Sequence, residues 1–299
     1  MKALTISTLG VPVLIVALFV TMTPDTLAGV SPGPVAIAIG KSAEAIILRA
    51  DGRLYSFDTQ RGRKPEEIFR IPSDFVASDV GVVSTAAGTL KCLIVNSKRT
   101  DKYASFVMQL SQNKKQVWTK LPDRGVYVGI AVDGAGKYAY ATNSTTSTVY
   151  RVELGNERGP VTRVATMPKA EVLASMALDE AGRRLFVADI TGGGVFVVNL
   201  GRKSEPQRID IPSASEIRAV AWQPAGRRLF VADAGKESVF AIDPERRADS
   251  YEVTHRAFKQ PSGLALAIDG SLWGVDQGSR TIFQILANQR TAARIVTLD

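Results

Sequence analysis

The chain has 299 residues, of which 45% are hydrophobic and 22% charged, with a formal net charge of +8. That composition excludes a disordered or collagen-like chain and allows one large buried core. A single cysteine and a single histidine exclude an intrachain disulfide and any histidine-rich metal site.

Taken from the start, Lys2 precedes an uncharged run, Ala3–Thr23, that is most apolar over Leu9–Val20. Thr26-Leu27-Ala28 follows with small residues suited to cleavage. The pattern predicts a secretory signal peptide over 1–28 and a linker at 29–33, with an uncleaved membrane anchor as the alternative. The expected location is therefore periplasmic or extracellular, with the chain monomeric. A basic exported protein meets anionic lipid, wall polymers or acidic ligands, and nucleic acid is not expected without a recognisable binding module.

Beyond the linker, one unit recurs. Gly182–Leu200 (GRRLFVADITGGGVFVVNL) and Gly226–Pro244 (GRRLFVADAGKESVFAIDP) are near copies, with looser copies at Gly136–Leu154 and Gly270–Ala287. Gly182, Gly226 and Gly270 stand at a constant spacing of 44 residues, which marks a repeat architecture built from one supersecondary unit. The repeat around Gly226 predicts four strands: Ile217–Trp222, Arg228–Asp233, Ser238–Ile242 and Tyr251–Phe258. Runs such as LFVAD are apolar at consecutive positions, as in strands covered on both faces. Pro34, Pro72, Pro122, Pro168, Pro212 and Pro261 open six such units, the first being the most irregular. The prediction is an all-β chain, a six-bladed β-propeller of four antiparallel strands per blade over 34–299. Ala293–Leu298 supplies the last blade with its own outer strand, so the ring should close by packing alone.

Pro261-Ser262-Gly263-Leu264-Ala265, followed by Asp269-Gly270, Leu272-Trp273 and Val275-Asp276, resembles an NHL repeat. Leu229–Asp233 and Tyr138–Asn143 resemble the related YVTN-type repeats. At fold level the chain is similar to the regucalcin/gluconolactonase group. That resemblance implies a metal-dependent lactonase or esterase with calcium or zinc on the propeller axis. Two signatures of that group depart here, because Pro32-Gly33-Pro34 lacks its carboxylate and Pro261-Ser262-Gly263 lacks its amide. The preferred expectation is a non-catalytic binding module for a protein, wall polymer or small anionic ligand, without a cofactor. A lactone or ester hydrolase with an altered site is the alternative.

Several residues are singled out. Asp189, Asp233 and Asp276, with Asn143 and Asn96, end second strands, where their side chains are expected to accept backbone N–H bonds in the following turn. Cys92 reads as a small buried apolar residue, and His255 as a structural residue on an outermost strand. Repeat alignment places Val80, Val128, Ala174, Arg218 and Ser262 at one register at the channel mouth. Arg218, the only charge among them, suits a carboxylate or phosphate, or else pairs with Glu216. Asp79, Asp123, Arg124, Glu171 and Glu216 are placed in loops entering inner strands, as solvated charge pairs or as part of a ligand surface. The opposite turns carry many cations, among them Lys114, Lys115, Arg158, Arg183, Arg202 and Lys203, a basic face for anionic lipid or wall polymer.

Overall fold

A strand that is apolar at successive positions must be covered on both faces, and here neighbouring sheets supply the cover. The computed structural model describes residues 33–298, apart from 42, 63, 87, 100–102, 247–248, 287–288, 290 and 293. The expected leader, most of the linker and Asp299 lie outside the described residues.

The first blade contains β1 (Pro34–Ile39), β2 (Glu44–Arg49), β3 (Arg53–Asp58) and β4 (Glu66–Arg70). The second contains β5 (Phe75–Thr85), β6 (Gly88–Ser97), β7 (Ser105–Leu110) and β8 (Gln116–Lys120). The third holds β9 (Tyr127–Val132), β10 (Tyr138–Asn143), β11 (Thr148–Glu153) and β12 (Val161–Thr166). The fourth holds β13 (Leu173–Asp179), β14 (Arg184–Asp189), β15 (Gly194–Asn199) and β16 (Gln207–Asp210). The fifth holds β17 (Ile217–Gln223), β18 (Arg228–Asp233), β19 (Ser238–Ile242) and β20 (Tyr251–Thr254). The sixth holds β21 (Pro261–Leu266), β22 (Leu272–Asp276), β23 (Thr281–Ile285) and β24 (Arg294–Thr297). Every sheet is four-stranded and antiparallel, with its strands in sequence order. The protein is a six-bladed β-propeller. The fifth blade's outer strand ends at Thr254, earlier than its apolar pattern suggested, and His255 opens the turn that follows.

The packing explains the sequence pattern. Leu229 and Val231 of β18 join the cluster shared with the fourth blade, whereas Phe230 and Ala232 join the cluster shared with the sixth. Alternate residues of one strand thus fill two different cores. Cys92 is fully buried between the second and third blades, and burial, with a smaller effect from Asp133, pushes its thiol up to about 12.

The repeated acids and amides act on the backbone. Asp233 accepts N–H bonds from Ser215, Glu216 and Lys236 at 2.7, 3.0 and 3.0 Å. Asp276 does the same for Lys259, Gln260 and Ser279, and Asp189 for Glu171 and Val172. Each carboxylate ties the turn after its own strand, the loop entering the blade, or both. In the second blade Asn96 reaches further, accepting the Tyr127 N–H and donating to the Tyr127 carbonyl of the third. Buried Arg49 occupies the corresponding place in the first blade, opposite Pro34.

Among the described residues the ring closes between the sixth and first blades without an exchanged strand. Ile37, Ala45, Ile47 and Phe57 pack there on Ala265, Trp273, Val275 and Ile282. Phe57 and Trp273 meet edge to face at 5.5 Å. A side chain at Gly263 would lie 2.9 Å from the Ala36 Cα, so this seam requires glycine for its close approach. Trp273 is 1% exposed. Its replacement by alanine should cost about 3–5 kcal/mol in urea unfolding, and a loss well under 1 kcal/mol would show that the closure seam does not hold the ring.

Candidate functional site in the central channel

Each inner strand bonds a neighbour on one edge only, so its other edge faces the axis. Six such edges enclose a cavity of about 510 Å³, lined by the inner strands of all six blades. Its wall is organised in layers by strand register. Five blades place a bulge just inside the upper mouth, at Val35, Val128, Ala174 with Ser175, Arg218 and Ser262. In β5 the bulge comes later, at Ser78.

The strand pairing corrects the predicted register. Val80 pairs with Leu93, which sets it level with Ala38, Ala131, Ala177, Ala221 and Ala265, deeper than the mouth layer. Asp79 pairs with Ile94 and occupies the position that the other blades give to Ile37, Ile130, Met176, Val220 and Leu264. It is therefore not a loop residue. It lies inside β5, 8% exposed, as one acid in an apolar layer.

Asp79 Oδ1 accepts the Val80 N–H at 2.8 Å, and Oδ2 accepts the Ile130 N–H of the third blade at 3.0 Å. Burial pushes its carboxyl up to about 7, against the opposing pull of the Ile130 and Val80 N–H groups. Among the described residues no cation pairs with it.

The other predicted residues fall at or outside the rim. Arg218 lines the cavity, and its Nε donates to Glu216 Oε1 at 2.8 Å, so the anticipated local pair forms. Asp123, Arg124 and Glu171 are exposed on the upper loops, outside the cavity wall, with Asp123 accepting from the Tyr150 hydroxyl. Two lining cations were not anticipated: Arg70 at the end of β4 and Lys98 just beyond β6. Both are exposed, and neither makes an ion pair among the described residues. Asp51, also in the wall, is held by Arg53 at 3.3 Å. The channel thus has a cationic rim, largely apolar walls and one deep acid. His255 is remote from it, its Nδ1 accepting the Ala257 N–H at 3.1 Å beside the fifth blade's outer strand.

No family model matches the sequence, and no curated protein matches it. Solved structures match in shape. A catalytically inactive His-to-Ala form of virginiamycin B lyase from Staphylococcus aureus, with quinupristin, is 12% identical at a TM-score of 0.63. That match covers 91% of this chain and 86% of the lyase. A streptogramin B lyase is 14% identical at 0.59, covering 83% of this chain and 92% of the other. A nidogen/laminin complex gives 11% identity at 0.69, with coverage of 83% and 91%. Identities this low establish the shared propeller and leave activity to the residues of the site.

The folded protein holds the Asp79 proton to higher pH than the unfolded chain, whose carboxyl titrates near pH ~4. Its stabilising contribution is full below that value and is lost as pH rises through about 7. Relative to Asp79→Asn, which cannot ionise, wild-type unfolding free energy should fall by up to about 1.4 kcal/mol per pH unit between pH ~4 and ~7. Urea titrations across that range measure the difference, and a gap that does not vary with pH contradicts the assignment.

Proposed function

We propose that this is an exported, non-catalytic propeller that binds a small, largely apolar anionic ligand in its central channel. The observation carrying this reading is the cavity of about 510 Å³, whose largely apolar walls lead to a rim bearing Arg70 and Lys98. A concave apolar site with a few polar groups at defined places is the usual form of a small-molecule site. The hydrolase alternative finds little support in the donor set. The wall's carboxylates are Asp51, engaged by Arg53, and Asp79, which already accepts two N–H groups. They do not fit a calcium or zinc ion, which needs several convergent oxygen or nitrogen ligands. The lyase neighbour's inactive variant lacks one histidine, whereas this chain's single histidine is away from the channel.

Octanoate is a suitable first probe, with an anionic head for the rim and an apolar tail for the wall. Calorimetry should detect its binding, and the double variant Arg70→Gln/Lys98→Gln should weaken it roughly five- to thirtyfold, as expected for two exposed charge contacts. Unchanged affinity in that variant would remove the rim from the site.

A second contact is supported by the opposite face. Lys114, Lys115, Arg158, Arg183, Arg202 and Lys203 are exposed there across the second, third and fourth blades. Among the described residues they make no ion pair. Such an arc favours an anionic surface. Vesicles carrying anionic lipid should bind the protein at low ionic strength and release it at about 0.5 M salt, where screening extends only ~4 Å. Binding that persists at that salt would point to a different kind of contact.

A further inference from the structure

We infer that Asp79 is the inner anchor of the channel ligand and takes a protonated amine, so that the ligand is an amphiphile with an anionic outer end and a cationic inner end. This deepens, and rests on, the channel reading above. A carboxylate offers about four acceptor positions, and Asp79 uses two, for Val80 and Ile130. Its carboxyl belongs to the cavity wall in a layer otherwise made of Ile37, Ile130, Met176, Val220 and Leu264. The site therefore presents one acceptor at one angular position of an apolar ring, a specific point of recognition.

Among the described residues no cation compensates this acid. Of the elements packed on β5, β1 carries no titratable side chain. β9 carries only Tyr127, whose ring packs on Tyr150. β6 brings Lys91 and Cys92, and β2 brings Glu44 and Arg49. None of these is bonded to the Asp79 carboxyl, whose partners are the Val80 and Ile130 N–H groups. Across the cavity Arg218 is engaged by Glu216. A buried carboxylate without a counter-charge is unfavourable, and an ammonium brought by the ligand relieves that penalty. Asp79 pairs with Ile94, three residues along β6 from Ser97 at the mouth end of the ladder, a depth of about 10 Å at the strand rise. That is the span of an eight-carbon chain between its two ends.

The test compares octanoate with 8-aminooctanoate, titrated calorimetrically into the whole protein from pH 5.5 to 8.5. The amino derivative should bind more tightly as pH rises, about tenfold per unit while Asp79 is protonated, and level off once it is ionised. Octanoate should show no such rise. Asp79→Asn should keep octanoate binding and lose the pH-dependent gain of the amino derivative. Octanoate binding with no advantage for 8-aminooctanoate at pH 8.5 overturns this inference alone, as does a gain that survives in Asp79→Asn. Failure of both probes overturns the channel reading and this inference with it. Should the variant not fold, the wild-type profiles of the two probes decide the matter.

Discussion

A blade in this protein has no free face, and most of its architecture follows from that constraint. Each strand sends alternate side chains into two cores, as β18 does with Leu229 and Val231 on one side and Phe230 and Ala232 on the other. No sheet can satisfy its apolar residues alone, so stability belongs to the seams between sheets. The same constraint shapes the axis. Inner strands spend their side chains on the seams and turn a backbone edge to the channel, so the Ile130 N–H is available to a side chain from another blade. A functional group deep in the channel must come from an inner strand that breaks the apolar rule, and Asp79 does so.

Much of the fold was legible because it repeats. The constant spacing of Gly182, Gly226 and Gly270 and the unbroken apolar runs specify strands, blades and closure with little ambiguity. The turn acids were legible for the same reason, since a residue recurring at one strand end points to a shared local hydrogen bond. The site was legible only in part. Repeat alignment sets Val80 level with Arg218, but strand pairing puts β5 three residues out of that alignment, with Val80 opposite Leu93 as Ala221 is opposite Phe230. That shift moved Val80 from the mouth to the alanine layer and Asp79 from a loop to the wall. A signal was nonetheless present: Val76-Ala77-Ser78-Asp79-Val80-Gly81 carries an acid inside an otherwise uncharged inner strand. Arg70 and Lys98 gave no such signal. They reach the rim from the ends of an outermost and a second strand, a juxtaposition made only by the assembled ring.

The structural neighbours place lyases and a nidogen/laminin complex on one scaffold at identities of 11–14%. With the scaffold shared, the chemistry of the channel rests on the residues of its wall. In this chain those residues include one buried acid just after a bulge and two cations at the rim.

Closure without strand exchange has a consequence for how the protein is made. Every blade is drawn from contiguous chain, so its backbone bonds can form as soon as its own residues leave the ribosome. Its side chains must wait for the next blade. The first blade waits longest on its other side, because the seam is joined by contacts such as Ser262 Oγ to the Pro34 carbonyl, 228 residues apart. Until then Ala45, Ile47 and Phe57 have nothing to pack against. The nascent chain thus carries one sticky sheet face throughout its synthesis, and that face is where a chaperone would have the most to protect.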